Sequence, residues 1–359
     1  MQKKIIALAV AAAFTVPAMS YAAADVYGIM HASIDMVNDG EVTNSKSTNQ
    51  LNSNRSRVGL KGSEDLGNGL SAIWQAEGTV MIDNGGFNLN RNTFLGLATA
   101  DMGTVLVGRH DTPYKMATRK LDVFKDTQAD TRDGGVNGLG GMLHHDQRLN
   151  NVIAYISPDF SGLTVAAATV FGAESSPTTT PSADKKGTIL SLAGMYNRDN
   201  IYAALAYQSV KLGDLETGDA AADGVITSLV PGGTFALDDE AKALKLGGGY
   251  TMDQVTVNAV VEQNTFTPKT GSETKGTNMY IGGKFAVSDS DAVKLAYTLR
   301  GETETGSTKN NDKASQVSVG YDHSMSAHTS VYALYSKVTE DATGAADPSV
   351  VSFGMKHSF

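Results

Sequence analysis

The side chains that could do acid–base or metal chemistry are scattered along this sequence. Of seven histidines (His31, His110, His144, His145, His323, His328 and His357), only His144 and His145 are adjacent, with Asp146 beside them. A zinc hydrolase needs two histidines one helical turn apart with a glutamate between, and HHD offers neither. No GxSxG elbow presents a serine nucleophile. The glycines of GGVNGLGG (134–141) are out of GxGxxG order and lack a strand–helix context, so they suit tight loop folding better than phosphate binding. With no cysteine there is neither a thiolate metal site nor a disulfide. The reading assigns no catalytic, cofactor-binding or metal-binding residue and expects no cofactor.

What remains is electrostatics. Residues 112–146, beginning TPYKMATRKLDVFKDTQADTR, carry Asp122, Asp126, Asp130 and Asp133 among Lys115, Arg119, Lys120 and Lys125. Elsewhere Arg55, Arg57, Arg91 and Arg148 stand near strand starts. Walls of opposite sign across a water-filled gap set up a transverse field that orders water and dipolar solutes. That role requires a scaffold able to hold a loop opposite a wall.

Export comes first in that scaffold. MQKK, an apolar run from Ile5 to Val16, Pro17 and the small-residue stretch AMSYAAA read as a signal peptide over 1–22, cleaved after Ala22, Ala23 or Ala24. Residues 23–359 then form a single domain. Removing Lys3 and Lys4 takes the net charge from −9 to −11, which argues against a nucleic-acid partner. No later apolar run reaches the roughly 18 residues that a membrane helix needs. At 41 % apolar and 19 % charged, with 38 Gly against 8 Pro, the composition suits strands.

Strands with two unlike faces appear repeatedly. Met30, Ala32, Ile34 and Met36 oppose His31, Ser33 and Asp35; Ala72, Trp74 and Ala76 oppose Ser71, Gln75 and Glu77. Val293, Leu295 and Tyr297 oppose Lys294 and Thr298; Val317, Val319 and Tyr321 oppose Gln316, Ser318 and Asp322. Charges on the polar faces require water there.

Seven short turns, EDLGNG, ADMG, PDFSG, NRDN, MDQ, SDSD and HSMSAH, alternate with longer polar segments at about 39–52, 83–89, 112–146, 173–185, 212–240, 266–274, 303–312 and 339–347. Seven turns and eight loops join sixteen strands. The fold expected is all-β: a transmembrane 16-stranded antiparallel β-barrel, both termini on the short-turn side, with a lumen too wide for side chains to fill. A soluble β-sandwich explains neither the alternation of connections nor the charged faces.

DVYGIMHASID, SRVGLKGSEDLGNGLSAIWQAE (56–77), RNTFLGL (91–97), GTVLVGRHDTPY (103–114), NNVIAYISPDFSGL (150–163) and the ending FGMKHSF resemble the general Gram-negative porins, trimeric diffusion channels, in the branch related to Neisseria and Burkholderia. The resemblance implies that 112–146 is a third loop folded into the lumen. Its aspartates would face Arg57, Arg91 and Arg148, with Arg55 next, as the pore constriction. An arginine facing lipid at the midplane would cost roughly 2–4 kcal/mol, which directs these side chains inward. Arg109 shares parity with Val105 and Val107 and is left out. Ala154 replaces a basic residue frequent in relatives, which lowers the expected anion preference; four loop aspartates lean the balance toward cations.

The resemblance further implies a homotrimer latched near 83–89, contact with outer-membrane lipid and lipopolysaccharide, passage of ions and small hydrophilic solutes, and Phe359 as the signal read by the barrel-assembly machinery. The location implied is the outer membrane of a Gram-negative bacterium, both termini periplasmic. An outer-membrane barrel enzyme or a substrate-specific channel is the alternative.

Overall fold

The structure, a computed structural model, describes residues 24–132, 145–170, 188–211 and 239–359. Residues 1–23, with the expected signal peptide, and 133–144, 171–187 and 212–238 lie outside these residues. Sixteen antiparallel strands close on themselves. In chain order they are β1 (Asp25–Asn38), β2 (Ser47–Ser53 and Arg57–Gly67), β3 (Leu70–Met81), β4 (Gly86–Asn88 and Thr93–Thr99), β5 (Gly103–Asp111) and β6 (Arg148–Ile156). There follow β7 (Leu163–Val170), β8 (Thr188–Arg198), β9 (Ile201–Lys211), β10 (Glu240–Met252), β11 (Val255–Thr267) and β12 (Thr274–Ala286). The last four are β13 (Asp291–Arg300), β14 (Ala314–Ser324), β15 (Thr329–Glu340) and β16 (Ser349–Ser358). Each pairs with its sequence neighbours, and β1 pairs with β16 from Ile29↔Ser358 to Asn38↔Ser349.

The two faces are as the alternation requires. Ile34, Leu95, Leu246, Ile281 and Leu295 stand at 52–59 % exposure on the outer face, while Asp35, Lys245, Glu262 and Ser352 are fully buried on the inner one. A closed ring leaves no unpaired strand edge, which is the condition for crossing hydrocarbon with strands.

Two expected loops are shorter than the sequence implied. Ser47–Ser53 already pairs with β1, and Gly86–Asn88 with β3. These extensions (STNQLNS, GFN) carry one large apolar residue each, Leu51 and Phe87, too few for a two-residue period to mark them as strand. Residues 212–238 and 171–187, where two further loops were expected, are outside the described residues.

The seam between β1 and β16 seats Phe359 against Gly28. Gly28 donates its N–H to the Phe359 carbonyl at 3.0 Å, and the Phe359 N–H donates back to the Gly28 carbonyl at 3.1 Å. A Cβ on Gly28 would lie 2.5 Å from the Phe359 ring and 2.7 Å from the Arg57 carbonyl, so only glycine seats the ring. Gly28→Val is expected to deplete the fast-migrating folded form on unheated gels, and Phe359→Ala in that background to restore part of it. A Gly28→Val barrel as abundant as wild type would show that the seat is not tight.

Candidate functional site

The segment after β5 begins with a short helix, α1 (Pro113–Thr118). Thr112 caps it, its Oγ1 accepting the Lys115 N–H at 3.3 Å, and Pro113 occupies the first position, where no backbone donor is needed. A 3-10 turn, Arg119–Leu121, follows.

Inner-face side chains hold this segment throughout its described length. The Tyr114 hydroxyl donates to Glu262 Oε1 of β11 at 2.7 Å, and Lys245 of β10 lies 3.9 Å over the Tyr114 ring while pairing with Asp146. Tyr202 of β9 donates to the Ala117 carbonyl at 2.5 Å, and Asn258 of β11 to the Leu121 carbonyl at 2.8 Å. The Val123 N–H donates to the Tyr280 hydroxyl of β12 at 2.9 Å. Gly247 of β10 makes room for Leu121 and Thr118, since a Cβ there would come within 2.7 Å of each. Gln128 then donates to Asn54 at 3.0 Å, and Asp126 meets Arg57 of β2 at 3.3 Å. β2 and β10 stand eight places apart in a ring of sixteen, so one segment is tied to opposite walls.

The expected acidic loop and basic wall are not two separate surfaces. Asp126 pairs with Arg119 of its own loop and with Arg57; Asp130 takes Arg119 at 2.9 Å and Arg132 at 3.2 Å, and accepts the Asp126 N–H at 2.8 Å. Asp122 faces inward on the loop, accepting the N–H of Phe124 (2.8 Å) and the N–H and hydroxyl of Thr131 (3.1 and 3.2 Å). Burial, and then the neighbouring Asp130, push its carboxyl up to about 7. Asp133 lies outside the described residues.

Of the expected wall arginines, Arg57 is brought to a loop aspartate as an ion pair, with Asp126. Arg91 pairs instead with Glu77, whose other oxygen accepts Tyr27 at 2.9 Å. Arg148 reaches Asp111 at 3.0 Å and Asn92 at 2.7 Å, while Lys115 takes the same Asp111 at 2.9 Å. Arg55 has φ 56°, in the break between the two parts of β2, and the fields of Asp130 and Asp126 reach it there. Ser56 fills that break, exchanging two 2.8 Å hydrogen bonds with the His31 backbone. Parity therefore does not carry across 54–56, and Arg55 cannot be placed on the face of Arg57 by counting residues. Arg109 donates to the Asn90 carbonyl at 2.7 Å and to Asn150 at 2.5 Å.

Sequence reasoning passed over Glu77, Asp111, Arg119, Lys245 and Glu262 as site residues. Lys245 carried a usable signal: it is a charge between Leu244 and Leu246 on a strand, where the opposite parity faces lipid.

This sixteen-stranded barrel has counterparts among known proteins. The family model of Gram-negative porins matches residues 7–343. Outer membrane porin protein 32 of Delftia acidovorans is 28 % identical over 340 residues, covering 92 % of this chain and 88 % of the relative. Major outer membrane protein P.IA of Neisseria meningitidis serogroup B (strain MC58) is 27 % identical over 329 residues, covering 84 % and 81 %. Among solved structures, an anion-selective porin from Comamonas acidovorans superposes with a TM-score of 0.74 at 23 % identity, over 94 % of this chain and all of that one. The chain belongs to the Gram-negative porins and forms a channel for passive diffusion across the outer membrane of a Gram-negative bacterium.

Proposed function

We propose that residues 112–146 lie across the lumen as its constriction and that the channel prefers anions. The carrying observation is the fate of the loop's charge. Residues 112–146 hold five basic side chains (Lys115, Arg119, Lys120, Lys125, Arg132) against five aspartates (Asp122, Asp126, Asp130, Asp133, Asp146), so the loop is not net acidic; Asp126 and Asp130 are taken by Arg57, Arg119 and Arg132, Asp146 by Lys245, and Asp122 by the loop's own N–H groups. Lys125 is exposed, with Arg57, Arg119 and Lys356 as cationic neighbours. This replaces the lean toward cations that a count of aspartates implied, and it agrees with the anion selectivity of the Comamonas porin. A planar-bilayer zero-current potential under a salt gradient tests it: anions should carry most of the current, and a cation-signed potential would refute the reading.

Asp122 gives the preference a pH dependence. Its folded pKa, about 7, exceeds the ordinary 3.8, so the folded loop favours the protonated form. That contribution is complete below the ordinary value and is lost as pH rises through about 7. One negative charge then appears in the loop, so anion preference should fall as pH rises through about 7, and Asp122→Asn should flatten the change. An equal slope in the variant would point to another group.

Sister subunits would cover β16 and β1–β5. Outward tyrosines (Tyr155, Tyr196, Tyr207, Tyr250, Tyr297, Tyr321, Tyr335) lie on β6–β15, and among the described residues none lies on β1–β5 or β16. Interfacial tyrosines anchor lipid-facing strands, so their absence marks a face buried in protein, as in a homotrimer. Lipid and lipopolysaccharide would surround the tyrosine-bearing strands, the assembly machinery would read Phe359, and residues 1–22 would be removed on export. Turnover has no part in this reading.

A further inference from the structure

The outer face carries a trough of about 540 Å³ running from β14 to β2. Its upper wall is one cross-strand row, Leu51↔Ile34↔Phe353↔Ala333↔Tyr321; its lower wall is the next, Ala32↔Met355↔Val331↔His323. Alanine at 32 and 333 leaves the gap, and the backbone of Ser33, Tyr332 and Gly354 forms its floor. Five strands at about 4.8 Å spacing make the trough about 19 Å long, the reach of a fatty acyl tail.

The trough is apolar along its length and polar at one end. There Asp291 accepts from Tyr321 at 2.5 Å, from His323 Nδ1 at 2.8 Å, and from the hydroxyls of Ser288 (2.5 Å) and Ser290 (3.0 Å). This end adjoins the short turns 287–290 and 325–328, at the height of the periplasmic headgroups. Two things say what fills the trough. It starts at Tyr321, a member of the lipid-facing tyrosine set, and runs into the tyrosine-free face, so it lies on the boundary between bilayer and subunit. Its polar end offers a carboxylate beside an imidazole whose Nε2 is not used by Asp291.

We propose that the trough holds one acyl tail of a zwitterionic glycerophospholipid, its phosphate at His323 and its ammonium at Asp291. Lipopolysaccharide is excluded by depth, because its headgroup belongs to the long-loop side. Surrounding lipid is as apolar as the trough, so retention must come from packing and from the polar end. The proposal rests on the membrane placement of the barrel, and its trimer boundary rests on the reading above.

Native mass spectrometry of protein extracted in mild detergent, delipidated and re-exposed to phosphatidylethanolamine or phosphatidylglycerol, tests the assignment. Wild type should retain one phosphatidylethanolamine per subunit in preference to phosphatidylglycerol. Ala333→Phe, which fills the trough, should lose it with subunit association intact, and His323→Ala should lose the headgroup preference. Should Ala333→Phe fail to assemble, Ala32→Leu fills the other gap. Equal retention in a trough-filled variant would place the lipid elsewhere. A wild type that takes up no lipid, with variants whose subunits dissociate, would assign the trough to a second copy of the chain; either result overturns the proposal.

Discussion

Lys245→Met is expected to raise single-channel conductance and make it noisy while leaving the barrel closed. Lys245 is fully buried between Asp146 and the Tyr114 ring, and Tyr114 in turn donates to the fully buried Glu262. Methionine matches the volume but removes the charge, leaving two buried carboxylates with Arg132, 3.8 Å from Asp146, and the fields of Lys115 and Arg119 in its place. Breaking a buried pair from one side costs roughly 3–5 kcal/mol. The strand ladders do not depend on this lysine, so the loss falls on the loop, which loses its anchor at β10. Lys245→Met/Asp146→Leu, which removes both charges, should recover most of the quiet, low-conductance state. Unchanged conductance and noise in Lys245→Met would mean that the hydrogen bonds from Tyr202, Asn258 and Tyr280 suffice to hold the loop.

The second large effect is on selectivity. Arg57→Glu should move the zero-current potential toward cations, by more than neutral Arg57→Gln does. The substitution changes the local charge by two and sets a second carboxylate beside Asp126, so both the fixed field and the tie between β2 and the loop are altered. Arg119 still neutralises part of Asp126, so the barrel should assemble. If both variants shift the potential equally, the loss of the tie, and not the charge, controls selectivity. If neither shifts it, Arg57 lies off the ion path.

The barrel was legible because lipid on one side and water on the other impose a two-residue period wherever a strand crosses hydrocarbon. β1, β3, β13 and β14 obey it, and the apolar sets read from the sequence are their outer faces. The period failed in the extensions of β2 and β4, which carry one large apolar residue each, and at 54–56, where Ser56 substitutes for a ladder pair. In the loop, counting charges found the residues but not their partners. Arg119 could be recognised as the hub of Asp126 and Asp130 only once the turn at 119–121 brought it back toward them, because that pairing is set by folding and not by spacing in the chain.

Asp111 and Arg148, at the two ends of the loop, face each other on β5 and β6 and are joined by an ion pair. The chain thus leaves the wall and returns to the same place, as a hairpin does, however much it does between. Wall and loop are topologically independent: the thirty-six residues between Asp111 and Arg148 can lengthen, shorten or change charge without moving any strand into a new register. If the loop is the constriction proposed above, a lineage needing a different permeant can rewrite it on an unaltered frame.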